Sequence, residues 1–366
     1  MLSRADYGEL WGGRGYPPRP AFAAFVGTVV HRCLELLLTA FHDRGCPSIT
    51  DPVAVEVIRG LGGYSRLVES VVKEELATLK GNPRAVDLEQ DFARQLAKDG
   101  PRIRQLVQMA ISRAQFVPVG DNSEIGSEGP DGTGITRGSH TEVELRDGDL
   151  RVMGRADLIT LGESGCTITD YKTGEPSEGH ADQIRLYGLL WNRDQRVNPD
   201  QIPIASLLVA YATHDESVEV PSEAELATLA AQITSRIEAT EEELDLRPPP
   251  ARPDPEICRF CDVRHLCDDY WTTVPSTLAV GQSESAAGFV DCGGEIAERN
   301  GPKSWVLRLD GEPNSALLRT TDERPGFSVG DHVRLLGVVE TIEADGTPQL
   351  VLTMTQFSES FVLDIH

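Results

Sequence analysis

The first clear apolar period runs from about Ala21 to Arg44. There Val26, Val30, Cys33, Leu34 and Leu37 recur three or four residues apart, on one side of a helix. Residues 51–80 and 84–116 carry further helical patterns, the first interrupted by the glycines between Gly60 and Gly63. Val119 to Gly138 is rich in Gly, Ser and Asp and reads as a flexible loop, about 118–138. Period two then takes over. His140 to Arg146 predicts a strand, and Arg151 to Leu161 with Gly165 to Thr173 predicts an antiparallel hairpin across a Gly/Glu/Ser turn. A helix follows over Asp182 to Asn192, an apolar strand over Ile202 to Thr213, and an acidic amphipathic helix over Ser222 to Asp245. The fold class is therefore α/β, with the helices of residues 51–116 inserted ahead of the sheet and forming one wall of a groove.

A proline-rich connector, Arg247 to Pro255, leads into a cysteine-bearing stretch and then a polar linker over 273–287. Beyond it the pattern is of short β-rich runs broken by Gly, Asn and Asp. Five such runs in residues 288–366 predict a small all-β barrel. The run from Val329 to Val339 resembles the third-strand region of OB-folds, although SH3-like barrels share the pattern. The expected division is a first domain over 1–272, the linker, and the barrel domain.

Chemistry concentrates on the hairpin. Side chains alternate along a strand, so Asp170 and Lys172 share a face, and Asp157 on the partner strand can meet them there. Two carboxylates on one sheet face can hold Mg²⁺ or Mn²⁺, hard ions that prefer oxygen. A lysine one pleat away can orient a water or neutralise charge developing on a phosphate. Taken alone, Asp-x-Lys reads better as a surface ion pair. Gln183 and Tyr187 change the balance, because they stand four residues apart on one face of the next helix.

Together, Gly-Arg-Ala-Asp-Leu (154–158), Thr-Asp-Tyr-Lys-Thr-Gly (169–174) and Gln-Ile-Arg-Leu-Tyr (183–187) resemble the PD-(D/E)XK nucleases of the RecB-like branch. That branch includes nuclease domains of bacterial end-resection helicases and CRISPR-associated exonucleases. The resemblance implies a restriction-endonuclease-like core with a helical insertion, followed here by the OB-like barrel. It implies that His31, Asp157, Asp170 and the Tyr171 carbonyl bind Mg²⁺ or Mn²⁺. Asp157, Asp170, Lys172, Gln183 and Tyr187 would be the catalytic set. Gly27, one turn before His31, would let that helix approach the sheet closely. Glu142 or Glu144 is a candidate accessory acid, although an exposed strand acid is the simpler reading.

Cys258, Cys261 and Cys267 crowd into ten residues, and soft thiolates select zinc or iron–sulfur centres. Spacing does not separate the two, and His265 could complete a zinc site. The family resemblance implies a four-iron four-sulfur cluster with a distant fourth cysteine, for which Cys33 and Cys46 are the candidates. Cys166 and Cys292 are isolated and read as inert.

The net charge of −24 is unusual for a nucleic-acid enzyme, and Lys73, Lys80, Lys98, Lys172 and Lys303 are the only lysines. A local arginine-lined groove can coexist with that exterior. Arg102, Arg104 and Arg113 read better as a solvated face. On the barrel, Trp305, Phe327, Arg308, Arg319 and Arg334 are the material for binding single strands, with a structural or docking barrel as the alternative. No run of about 18 apolar residues and no signal-peptide pattern occurs, so the expectation is a cytoplasmic protein without a membrane span. The expected partner is DNA, single-stranded or with free ends. No Walker motif is present, so any helicase must come from another chain. A non-catalytic accessory subunit with a vestigial nuclease core is the competing reading.

Overall fold

The computed structural model describes residues 16–46, 48–85, 88–114, 126, 134–246, 250–273, 289–312, 315–343 and 349–363. Most of the expected loop over 118–138, connector residues 247–249 and nearly all of the linker over 273–287 lie outside them. The chain divides into two compact units. One is Pro20–Lys80 with Glu89–Arg247; the other is Met1–Arg19 with Gly81–Leu88 and Pro248–His366.

In the first unit the chain opens with helices α1 (Phe22–Asp43), α2 (Pro52–Gly60), α3 (Gly63–Thr78) and α4 (Leu88–Arg113). Asp51 caps α2, accepting the Val53 N–H at 2.8 Å, with Pro52 in the first turn. The break before α3 falls on Gly62 at φ +84°. α1 buries a continuous stripe from Phe25 to Phe41. By length and composition α1 is apolar enough to cross a membrane, although His31, Arg32 and Glu35 interrupt its apolar run. The stripe is packed against α2, α3 and the first strand.

That strand is β1 (Gly138–Asp147), followed by β2 (Val152–Gly162), β3 (Gly165–Lys172), α5 (Glu178–Arg193), β4 (Ile204–Tyr211), β5 (Asp215–Val218) and α6 (Glu223–Leu244). The sheet runs β1-β2-β3-β4-β5. Its pairings are antiparallel except β3 with β4, which are parallel across the α5 crossover. Ile159, Leu161 and Ile168 of the hairpin pack with Ile184, Leu190 and Trp191 of α5 in one cluster. Each such side chain contributes about 1.5–3 kcal/mol when fully buried. Trp191 places its one polar atom, donating to the Ile202 carbonyl at 2.8 Å. Cys166 belongs to this cluster, as an inert thiol should. α6 starts with a capping box, Ser222 with Glu225.

The second unit is a barrel with attached segments. Its strands are β6 (Phe289–Gly301), β7 (Ser304–Leu309), β8 (Ser315–Arg319), β9 (His332–Glu343), β10 (Gln349–Thr353) and β11 (Glu359–Leu363). The order β10-β8-β7-β6-β9, with β10 also paired to β9, closes five strands on themselves. β8 and β10 are parallel. β11 pairs with β9, adding a sixth strand to the expected five. β9 bends at Gly337, φ +64°, whose N–H turns to Asp291 at 2.7 Å. The cysteine-bearing stretch carries α7 (Pro255–Cys258), a 3-10 turn (Arg264–Leu266) and α8 (Asp268–Thr273). Arg264 and Tyr270 both bond Asp291, and Arg334 bonds the His265 carbonyl at 2.7 Å. Arg84 grips both oxygens of Glu359 at 2.8 Å each, while Tyr16 meets His265 Nε2 at 2.6 Å. This network holds the flanking segments to the barrel.

Candidate active site

The hairpin ladder ends at the pair Leu158 and Thr169. Beyond it a side chain takes over from the backbone: Asp157 Oδ2 accepts the Tyr171 N–H at 2.6 Å. The last turn of β3 is held by β4 instead, with Asp170 opposite Val209 and Lys172 opposite Tyr211. Asp170 and Lys172 share a face, as alternation requires, and Lys172 Nζ lies 2.6 Å from Asp170 Oδ2. That buried oxygen is met by the ammonium as an ion pair. Lys172 donates to Gln183 Oε1 at 2.8 Å, and Gln183 Nε2 donates to the Tyr187 hydroxyl at 2.8 Å. Tyr187 in turn lies over Gly154, where a Cβ would stand 2.8 Å from the ring. His31 reaches in from α1, with Nδ1 3.5 Å from Asp157 Oδ1. The close approach of α1 expected at Gly27 is present: a Cβ there would come within 3.1 Å of Thr173 Oγ1.

The charges are held in tension. Burial, followed by the Asp157 carboxylate, raises the Asp170 pKa, and Lys172 opposes the shift. Burial lowers the His31 pKa, but the hydrogen bond to Asp157 and the Asp157 charge outweigh it, so the net shift is upward. Burial pushes Tyr187 up to about 12, which leaves it a neutral hydroxyl fit for positioning Gln183. Sequence reasoning missed two neighbours. His180 Nδ1 and the Tyr211 hydroxyl are 3.0 Å apart, and the charge of Lys172 helps to lower the His180 pKa after burial. The available signal was helical: His180 precedes Gln183 by three residues.

A family profile described as the PD-(D/E)XK nuclease superfamily matches residues 10–268. The chain belongs to the PD-(D/E)XK nuclease superfamily. Members are metal-dependent nucleases that act on nucleic acid. No curated protein matches the chain. Among solved structures, tetrameric p202 HIN2 is 16% identical over 21% of this chain and 41% of its own, with a TM-score of 0.18. The chain thus spans less than half of that relative. A murine DNA binding protein bound with ds DNA is 10% identical over 62% of this chain and 94% of its own, again with a TM-score of 0.18. Scores so low do not establish a shared fold.

For a PD-(D/E)XK nuclease the donor set fits a hard divalent cation. Asp157 and Asp170 are close enough to repel, and an imidazole stands beside them. No three His, Cys, Asp or Glu side chains among the described residues are gathered as a ready-made metal cage. His31 pairs with Asp157 and Asp170 faces Lys172.

The cysteine cluster does not assemble a metal cage among the described residues either. Cys258, Cys261 and Cys267 are half-buried free thiols. The two candidates for a fourth ligand are both buried thiols. Cys33 is fully buried in the stripe of α1, which pushes its thiol up to about 12. Cys46 is buried and donates to the Ser48 carbonyl. The His265 ring stacks on Phe361 at 3.8 Å and its Nε2 meets Tyr16, while its Nδ1 is buried without a hydrogen-bond partner among the described residues.

On the barrel, the expectation that Trp305 and Phe327 stack on bases is corrected. Trp305 and Phe327 pack against each other inside the barrel core, 5% and 6% exposed, so neither offers a face for a base. Arg308 pairs with Glu295 at 2.6 Å. Arg334 is committed to Asp268, the His265 carbonyl and the Trp271 ring. Arg319 lies on β8 and is exposed.

Proposed function

We propose that this chain is a Mg²⁺- or Mn²⁺-dependent deoxyribonuclease of the RecB-like branch that processes single strands or DNA ends, in repair or phage defence. The observation carrying the reading is the relay in which Gln183, steadied by Tyr187, holds Lys172 beside Asp170. A surface ion pair needs no such support.

His31, Asp157, Asp170 and the Tyr171 carbonyl would hold the cation, which when bound polarises a phosphoryl oxygen and acidifies water. Lys172, oriented by Gln183, places an N–H where attacking water or developing phosphate charge can be met. The reaction is hydrolysis in line: a water oxygen bonds to phosphorus, the bridging phosphorus–oxygen bond breaks, and the departing oxygen takes a proton.

The closed five-strand order with β8 parallel to β10 supports an OB-fold reading of the barrel. With its aromatics in the core, we read it as a structural or docking module, the natural place for a helicase supplied by another chain. For Cys258, Cys261 and Cys267 we propose a structural iron–sulfur centre. A zinc site of three cysteines and His265 is the alternative, since only the Nε2 of that ring is engaged, by Tyr16. Visible absorption of anaerobically purified protein, with metal analysis, separates the two.

The nuclease reading is tested on labelled single strands, blunt duplex and covalently closed circles in Mg²⁺, Mn²⁺ or EDTA. The expected result is cation-dependent loss of substrates with ends, while closed circles persist. DNA binding without cleavage in either cation would favour an accessory role.

A further inference from the structure

A second supported donor stands beside Lys172, on the side away from Asp157. Tyr211 ends β4 and pairs in register with Lys172, while Asp157 lies on β2, across β3. Residues paired across parallel strands present their side chains on the same face. Here that is the face covered by α5, because Tyr211 packs in one cluster with Ile184 and Trp191. His180, in the first turn of α5, places Nδ1 3.0 Å from the Tyr211 hydroxyl. Gln183, which holds Lys172, follows one turn later on the same helix face. The charge of Lys172 reaches the His180 ring.

Tyr211 is buried and braced for this contact. Its N–H donates to the His214 carbonyl at 2.9 Å, which closes the turn into β5. Arg113, at the end of α4, donates to the Tyr211 carbonyl and to the Ala212 carbonyl, the latter at 3.1 Å. The His214 imidazole stacks on the phenol ring, 5.0 Å away and 21° from parallel. The hydroxyl also receives the Ser177 N–H. An oxygen that accepts a backbone N–H passes its own proton on, so His180 Nδ1 accepts and Nε2 carries the ring hydrogen. His180 is half-buried, and among the described residues nothing bonds its Nε2. A histidine kept only for packing needs no braced tyrosine to fix its tautomer.

We propose that His180 is a further substrate-contacting residue, its Nε2–H donating to a phosphate oxygen of the bound strand beside Lys172. The assignment deepens the nuclease reading above and rests on it. Burial and the Lys172 ammonium hold the imidazole uncharged. The contact therefore fixes where the strand lies without adding to its ionic attraction. Tyr211 does for His180 what Gln183 does for Lys172, from the opposite side of the same strand end.

The test is binding of labelled single-stranded DNA to the full chain at about pH 8, where an imidazole of ordinary or lowered pKa is neutral. Binding is read in Mn²⁺ across a salt series in the Asp170→Asn background, which leaves the strand intact. His180→Ala is expected to weaken binding roughly 10-fold, the effect of losing a hydrogen bond to a charged group. The factor is expected to be the same at every salt concentration, because a neutral donor releases no counterion. His180→Gln, which can present an amide N–H near the same place, is expected to recover part of the loss. Tyr211→Phe keeps the ring and frees the imidazole, and an intermediate loss is expected. With Asp170 intact, the fall in kcat/KM of His180→Ala is expected in KM rather than kcat. Circular dichroism of each variant separates lost affinity from lost fold. Unchanged affinity and KM in His180→Ala overturns the proposal and leaves the nuclease reading standing, as does a loss that flattens the salt dependence. A chain that cleaves nothing in Mn²⁺ with Asp170 intact overturns the nuclease reading itself, and the proposal with it.

Discussion

Lys172 donates to Gln183 across 2.8 Å, from the last residue of a strand to the first exposed turns of the helix that follows it. The bond fixes a flexible ammonium beside Asp170, where an unanchored lysine would spread over several rotamers. Replacing Gln183 with Ala removes the anchor and leaves the charge. Cleavage is expected to fall roughly 10- to 100-fold, the range for losing a partner that orients a reactive group. Cleavage at the wild-type rate would show that Lys172 needs no anchor.

Gly154 is required by Tyr187. A methyl group there would sit 2.8 Å from the tyrosine ring, and an overpacked contact costs about 1–3 kcal/mol. Gly154→Ala is expected to lower the denaturation midpoint and to reduce cleavage further, because Tyr187 carries Gln183 with it. A variant stable and active as the wild type would contradict the contact.

His31 gives a pH signature. Its proton is held more tightly in the folded chain than at the ordinary value of 6.5. Its pairing with Asp157 therefore stabilises the metal-free fold fully below that value, and the contribution is lost as pH rises through the raised one. Asp170, also raised, acts in the same direction from its ordinary 3.8 upward. A protonated imidazole does not ligate metal, so Mn²⁺ affinity rises as the stability falls. Urea midpoints and Mn²⁺ titrations across this interval should show both slopes, and His31→Gln should flatten them. Identical slopes in the variant would rule His31 out as their source.

Trp305 packs on Phe327 in the barrel core at a ring separation of 5.4 Å. Trp305→Ala is expected to cost about 3–5 kcal/mol in urea denaturation, with DNA affinity unchanged under conditions where the variant stays folded. Lost affinity at unchanged stability would restore the base-stacking role.

The parts of the site that could be read from sequence are local. Asp170 and Lys172 follow from alternation along one strand, and Gln183 and Tyr187 from one turn of one helix. His31 and Asp157 lie on elements far apart in the chain, and no periodicity joins them; the family resemblance did. β5 escaped notice as four mostly polar residues at the sheet edge. The Trp305 error was avoidable: Trp305, Leu307 and Leu309 alternate, and the structure buries all three. The contact of Tyr16 with His265 was not legible, because the two lie 249 residues apart.

The most direct test of the central claim is degradation of end-labelled single-stranded DNA in Mn²⁺ by the wild type and by Asp170→Asn. The exchange removes one charge and keeps the shape. The account predicts Mn²⁺-dependent degradation by the wild type, lowered on the order of 1,000-fold in the variant, with DNA binding retained. Equal degradation by both proteins, or none by either, would contradict it.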